Sequence, residues 1–168
     1  AQQFISKHKN KINITTGFHW YNSGLRESLI SIAGLTLYNN NKHFDQLFNN
    51  ILKEFENTDP ELITPDLPLL IIRAIQEKIG FAENCEEIWK KYRTSILKIL
   101  RNLKAGKYNA ELLDNGLLYI SEDTPAMTWM NEYSKGKPVT PRSGFVVEIN
   151  ALRYNALQYL SAVAEMNN

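Results

Sequence analysis

The chain has 168 residues, with 19 Lys plus Arg against 18 Asp plus Glu and a net charge of +1. That length allows one domain with a real hydrophobic core or a piece of a larger one, and the even charge balance leaves no field with which to recruit nucleic acid or an anionic membrane, so the expected partner is neutral. No apolar run approaches the roughly 20 residues of a membrane span, the lone Cys85 excludes an internal disulfide and a cysteine zinc cluster, and His8, His19 and His43 have no metal-ligand spacing.

Five helices and a hairpin are predicted in chain order. Over residues 25–38, Leu25, Leu29, Ile30, Ile32, Ala33, Leu35 and Leu37 wrap most of the way round a helix, which predicts a buried one. Over 42–56, Phe44, Leu47, Phe48, Ile51, Leu52 and Phe55 fall at three-and-four spacing with Asp45, Lys53 and Glu54 off the stripe, which predicts an amphipathic, outer helix. A second buried helix is expected over 65–77, started at Thr64 or Pro65. A second one-sided stripe runs through Ile88, Trp89, Tyr92, Ile96, Leu97, Ile99, Leu100 and Leu103 over 83–104, with Gly106 to end it. Cys85 lies in that pattern and is expected to be buried. In 112–120, Asn115-Gly116 between apolar pairs is a strong hairpin signal. A fifth helix is expected over 147–166, after a loop of about 20 residues, a length more often functional or disordered than neutral.

Short connections make successive helices antiparallel, so helices one, three and five begin at one end. Their beginnings hold almost all the unusual residues, whereas the segments that follow helices one and three, NNNKH and GFAEN, are bland. Buried odd helices alternating with amphipathic even ones imply an inner and an outer ring. Three inner helices cannot close a ring. The expected fold is all-α: an arc of antiparallel α/α hairpins, part of an (α/α)6 toroid, with a small β-hairpin near 112–120. Residues 1–168 are read as a single domain and as a fragment of a larger catalytic one. An opened arc exposes apolar flanks, so self-association or a missing companion segment is expected.

Arg26 and Glu27 sit in the first turn of a helix read as buried, where each needs a polar partner. The bland reading is a helix-start ion pair, in which Glu27 also complements the helix dipole. His19, Trp20 and Tyr21 beside them favour a ligand, because aromatic platforms next to a charged fork suit a sugar, with its apolar faces and its hydroxyl donors and acceptors. Asp66 follows Pro65 and is most simply a dipole-friendly residue of a first turn. In the long loop, Trp129, Asn131, Glu132 and Tyr133 precede Arg142 and Glu148, which bracket Gly144 and form either an ion pair or a ligand contact. Pro138 and Pro141 stiffen the loop. Glycoside hydrolysis needs one carboxyl as acid and another as base; Glu27, Asp66, Glu132 and Glu148 are the carboxylates near the helix beginnings.

The stretch 128–157, TWMNEYSKGKPVTPRSGFVVEINALRYNAL, closely resembles the TWMDA…VTPR.G..VEINALWYNAL signature of the C-terminal amylo-α-1,6-glucosidase domain of glycogen debranching enzymes. GFHWYNSGLRESLISIAGLTL and TPDLPLLIIRAI resemble two further motifs of that family, and the similarity spans residues 17 to about 160. It implies a six-hairpin toroid acting on α-1,6-linked glucose at branch points of glycogen or a related α-glucan, by acid–base inversion, with neither cofactor nor metal. It assigns substrate contacts to Trp20, Arg26, Glu27, Asp66, Trp129, Glu132, Arg142 and Glu148. The compartment is not legible in the first residues; a cytoplasmic one is the expectation.

The departures carry equal weight. Asn131 stands where the family has its catalytic Asp, Glu27 replaces the Asp of a sugar-binding Arg-Asp pair, and Arg153 replaces an aromatic residue. The family's base belongs to a region beyond Asn168. A carboxamide has no proton to donate, so general-acid catalysis worth about 10² to 10⁴-fold is forfeited. The expectation is therefore a debranching-type relative that does not hydrolyse glycans by itself. A noncatalytic α-glucan binder and a plain helical interaction module are the competing readings.

Overall fold

Helix boundaries follow the punctuation closely. The computed structural model describes residues 2–8, 11–17, 24–39, 42–124 and 126–166. Helix α1 (Leu25–Leu35) starts after an extended Gly24 and runs on into a short 3-10 turn at Leu37–Asn39. Helix α2 spans Phe44–Asn57. Helix α3 (Asp66–Gly80) begins after Pro65 and tolerates Pro68 because that residue lies in the first turn, where its missing N–H has no intrahelical partner to lose. It passes the expected stop at Glu77 by one turn. Helix α4 (Cys85–Lys104) is started by the Asn84 side chain, which accepts from Glu87 N at 3.1 Å, and is terminated by Gly106 at φ +70°. Helix α5 is Val147–Met166.

The arrangement is an all-α arc with small hairpins. α3 packs against α1, α4 and α5, and α1 also packs against α2. α1 and α3 run side by side in the same direction, since Arg26 at the start of one meets Asp66 at the start of the other, while Tyr38 and Glu77 meet beyond their middles. α5 follows the same direction along α3: Asn155 reaches Gln76, and further on Tyr159 lies near Cys85, just past the end of α3. The outer helices lay their stripes on this row. Phe44, Phe48, Ile51 and Phe55 of α2 and Tyr92, Ile96, Ile99 and Leu103 of α4 are buried, and Phe48 meets Tyr92 edge-on at 5.2 Å. Each such side chain contributes roughly 1.5–3 kcal/mol of transfer free energy.

Only α3 behaves as a fully inner helix. Leu69, Leu70, Ile71, Ile72, Ala74 and Ile75 are all buried, covering most directions. α1 departs from the expectation: Leu29 and Ile32 are buried but Ile30 is 62% exposed, because among the described residues the helices packed against α1 are α2 and α3, which leave its far side open. Cys85 also departs. It is exposed, since it opens α4 at a corner instead of lying within the buried stripe.

Three two-stranded antiparallel hairpins decorate the helices among the described residues. β1 (Ile5–His8) pairs with β2 (Lys11–Ile14), whose Ile12 and Ile14 are buried beside α2. β3 (Glu111–Leu112) pairs with β4 (Leu118–Tyr119) across the expected turn, with Gly116 at φ +79° and the Asn115 side chain accepting from Leu117 N. β5 (Tyr133–Ser134) and β6 (Lys137–Pro138) form a hairpin inside the loop expected to lack secondary structure. Its turn holds Lys135 and Gly136 both at positive φ, the geometry that matches strand twist. No helix among the described residues is long and apolar enough to cross a membrane.

Candidate functional site

The loop before α5 is pinned at both ends. Ile120 and Gly144 exchange backbone hydrogen bonds of 3.0 and 2.8 Å, which closes residues 121–143 into a compact excursion and delivers the chain into α5. Gly144 sits at φ +75°, a conformation that a side chain at this position would strain. Within the excursion Thr128 is fully buried and its hydroxyl accepts from Met130 N, while Trp129 (56% exposed), Asn131 and Glu132 face solvent. Val139 N donates to Glu132 O and extends the β5–β6 stem. Trp129 and Tyr133 thus present exposed aromatic surface on either side of Asn131.

Arg142 joins this loop to α5. Its Nη2 donates to Glu148 Oε2 at 2.5 Å and its Nη1 lies 3.4 Å from Met130 Sδ, so one guanidinium bridges the acid-position segment and the first turn of α5. Glu148 Oε1 is enclosed and has no hydrogen-bond partner among the described residues. Its side chain lines a groove of about 830 Å³ between α3 and α5 that also touches Arg73, Gln76, Asn155, Tyr38 and Phe81. Tyr38 and Phe81 meet edge-on at 4.8 Å. Tyr38, at the end of the predicted first helix, and Phe81, in the GFAEN segment expected to be bland, therefore form an aromatic pair whose members lie 43 positions apart and come together only in the fold.

The second charged pair is Arg26–Asp66. Arg26 Nε and Nη2 lie 2.5 and 3.2 Å from the two Asp66 oxygens, and both side chains are nearly buried, at 10% and 8% exposure. Thr64 completes the cluster, accepting from Arg26 Nη2 at 2.8 Å and donating to Asp66 at 2.6 Å. The expected helix-start pair of Arg26 with Glu27 is not formed. Glu27 is exposed, and its carboxyl lies over Gly24 so closely that a Cβ there would meet Oε2 at 2.0 Å. Successive residues on a helix point about 100° apart, so Glu27 is turned away when Arg26 faces α3.

The structure brings together Arg142 with Glu148 and Arg26 with Asp66, and among the described residues no hydrogen bond or ion pair joins the two sets. Trp20 lies outside the described residues. Three further residues of the 147–157 motif emerge as structural anchors. Asn150 donates to Leu118 O and accepts from Leu118 N, Arg153 donates to Gly116 O, and Asn155 donates to Gln76 Oε1 at 2.7 Å. Burial beside the hairpin holds the Arg153 guanidinium below its ordinary pKa. Sequence reasoning singles out neither Asn150 nor Asn155 and marks Arg153 only as a replaced aromatic; polar side chains among the apolar residues of this helix are the signal that could have found them. No group of three or more His, Cys, Asp or Glu side chains able to hold a metal ion occurs among the described residues.

No curated protein and no solved structure was found to match the chain. The sequence model of the family described as amylo-alpha-1,6-glucosidase matches residues 1–168, the whole chain. With that match added to the motif over 128–157, the chain belongs to the amylo-alpha-1,6-glucosidase family, a debranching-type branch of the glycoside hydrolases.

Proposed function

We propose that this chain binds an α-1,6-branched α-glucan across the 128–142 loop and the start of α5, and that it does not hydrolyse the glucan by itself. The observation that carries the reading is Asn131, exposed two residues from the exposed Trp129, at the position where the family places its acid. A carboxamide there can donate and accept hydrogen bonds to sugar hydroxyls but cannot protonate a leaving oxygen. Trp129 and Tyr133 offer stacking surfaces. Glu132 is the nearest other carboxylate in the chain, but its backbone is committed to the hairpin stem and its side chain leaves the chain one position further on. A misplacement of about 1 Å can cost two orders of magnitude in rate, which makes it a poor substitute acid. The domain is read as one arc of an (α/α)6 catalytic toroid.

The test is a titration with a branched maltooligosaccharide, followed by tryptophan fluorescence, beside an α-1,6-glucosidase assay. Saturable binding that weakens at least tenfold in Trp129→Ala, with no turnover, is the expected result. Clear turnover by the unaltered chain would refute the loss of acid catalysis, and the absence of saturable binding would refute the glucan reading. Asn131→Asp, made in the complete protein so that the family's base is present, separates the remaining cases: activity gained means that only the acid was missing, and unchanged binding without activity means a dedicated binder.

A further inference from the structure

We propose that Arg142 is a positioning residue: by holding the Met130 side chain it sets the direction in which Trp129 and Asn131 are presented, and it does not itself touch the sugar. Exposure alternates along this segment. Thr128 is fully buried, Trp129 is 56% exposed, Met130 is half-buried and Asn131 is exposed, so the inward residues decide which way the outward ones face. Met130 is held from two sides. Its N–H donates to the hydroxyl of the buried Thr128 at 3.2 Å, and its thioether sulfur accepts from Arg142 Nη1 at 3.4 Å. Among the described residues, the Arg142 contact is the one hydrogen bond that ties residues 129–131 to any part of the chain beyond Thr128.

Arg142 suits this task because a guanidinium is a rigid planar fork. Nη2 donates to Glu148 Oε2 at 2.5 Å while Nη1 meets Met130, so one plane spans from the first turn of α5 to the residue before Asn131. The helix is the fixed reference. α5 packs along α3 and is bonded to it through Asn155 and Gln76, so the fork transfers that placement to the loop. The resemblance assigns Arg142 a substrate contact, but both of its terminal nitrogens are engaged by partners within the chain and its side chain is only 24% exposed. Neither bond serves stability much. A thioether is a weak acceptor and a part-exposed ion pair is screened by solvent, so what the arrangement supplies is direction. Lysine could keep the pair with Glu148, but its single ammonium has no second nitrogen with which to hold Met130 at the same time.

The proposal takes its ligand from the glucan reading, so its first test uses no ligand. NMR relaxation on the isotope-labelled whole chain reads the order of the 129–131 backbone amides and of the Trp129 indole N–H. Order parameters of about 0.85 are expected there in the unaltered chain, falling below about 0.6 in Arg142→Lys and in Met130→Leu while Ile120, Gly144 and α5 keep theirs. Unchanged order over 129–131 in either variant would overturn the proposal. So would a loss that spreads into α5, because Arg142 would then be supporting the fold and not the segment. The second test is a titration with a branched maltooligosaccharide. Each single variant should weaken binding about tenfold and the double variant no further, since both substitutions break one strut. Additive losses, or a loss confined to Arg142→Lys, would make Arg142 a sugar contact and overturn it. If the unaltered chain binds no glucan, the glucan reading falls and the order parameters alone decide whether Arg142 positions the segment.

Discussion

Asp66 is the side chain on which the N-terminal end of the helical row depends most. It takes both Nε and Nη2 of Arg26, and the pair is nearly buried. Removing one partner of such a pair leaves an uncompensated buried charge, so Asp66→Ala should cost about 3–5 kcal/mol. Arg142→Ala, whose pair with Glu148 is one-quarter to one-third exposed, should cost no more than about 1 kcal/mol. Urea unfolding measures both, and a lower midpoint at unchanged slope is the expected form of the Asp66→Ala change. A larger loss from Arg142→Ala than from Asp66→Ala would show that burial does not set this ranking. The sequence made Asp66 legible as a first-turn residue but not as the partner of Arg26, because their contact spans 40 positions. The nearer acid, Glu27, invited the wrong pairing. Helix geometry alone argues against that choice, since adjacent residues on a helix do not face each other.

At the scale of elements, helices with charge on one side were legible and helices without it were not. α2 and α4 announce their buried faces because charged residues mark the opposite ones. The apolar residues of α1 point in most directions, which reads as burial all round, yet an apolar side chain at the edge of a row has no neighbour to cover it. The 112–120 hairpin was legible from Asn115-Gly116, while the 133–138 hairpin was hidden by Lys135, which adopts a positive φ without the usual Asn or Gly. Two side chains hold the 112–120 hairpin to α5: Arg153, which donates to Gly116 O, and Asn150. Asn150 contacts Leu118 N at 2.8 Å, Leu118 O at 3.0 Å and Val146 O at 3.1 Å, in the manner of an added strand residue. Asn150→Ala strands a donor and an acceptor on a fully buried residue and should cost about 1–3 kcal/mol. Hydrogen exchange should rise selectively over 111–120 and at the Ile120–Gly144 bridge while α2 and α4 keep their protection. Uniform loss of protection, or none, would count against a local clamp.

The whole molecule is fastened by different means at its two ends, which predicts where acid acts first. At the N-terminal ends of α1 and α3 the fastening is buried and bidentate. At the other end it is a half-exposed junction: Asp45, in the first turn of α2, meets Lys78 in the last turn of α3 at 3.1 Å and Lys91 of α4 at 3.3 Å. Partial burial alone pushes the Asp45 carboxyl upward, but the hydrogen bond and charge of Lys78, joined by those of Lys91, outweigh it and hold the group below its ordinary pKa. A carboxylate whose pKa is depressed by folding stabilises the fold fully above its unfolded value of about 3.9, and that contribution disappears as pH falls through the lower folded value. Because nearly half of the Asp45 side chain is exposed, solvent screening limits the effect to about 0.5–1 kcal/mol at pH 7. Asp45→Asn should therefore lower stability by that amount at neutral pH and at low salt. The gap to the unaltered chain should narrow as pH falls below about 4, where the carboxylate of the unfolded chain begins to protonate while the folded one is still charged. High salt should narrow it as well, since exposed pairs are screened. Urea midpoints for both proteins at pH 7 and in acid decide it; a gap that stays constant or widens in acid would remove Asp45 as the junction's titrating group. The proposed glucan site lies towards the opposite end of the row, so Asp45→Asn should leave oligosaccharide binding at pH 7 unchanged even as it loosens the α2–α3–α4 corner.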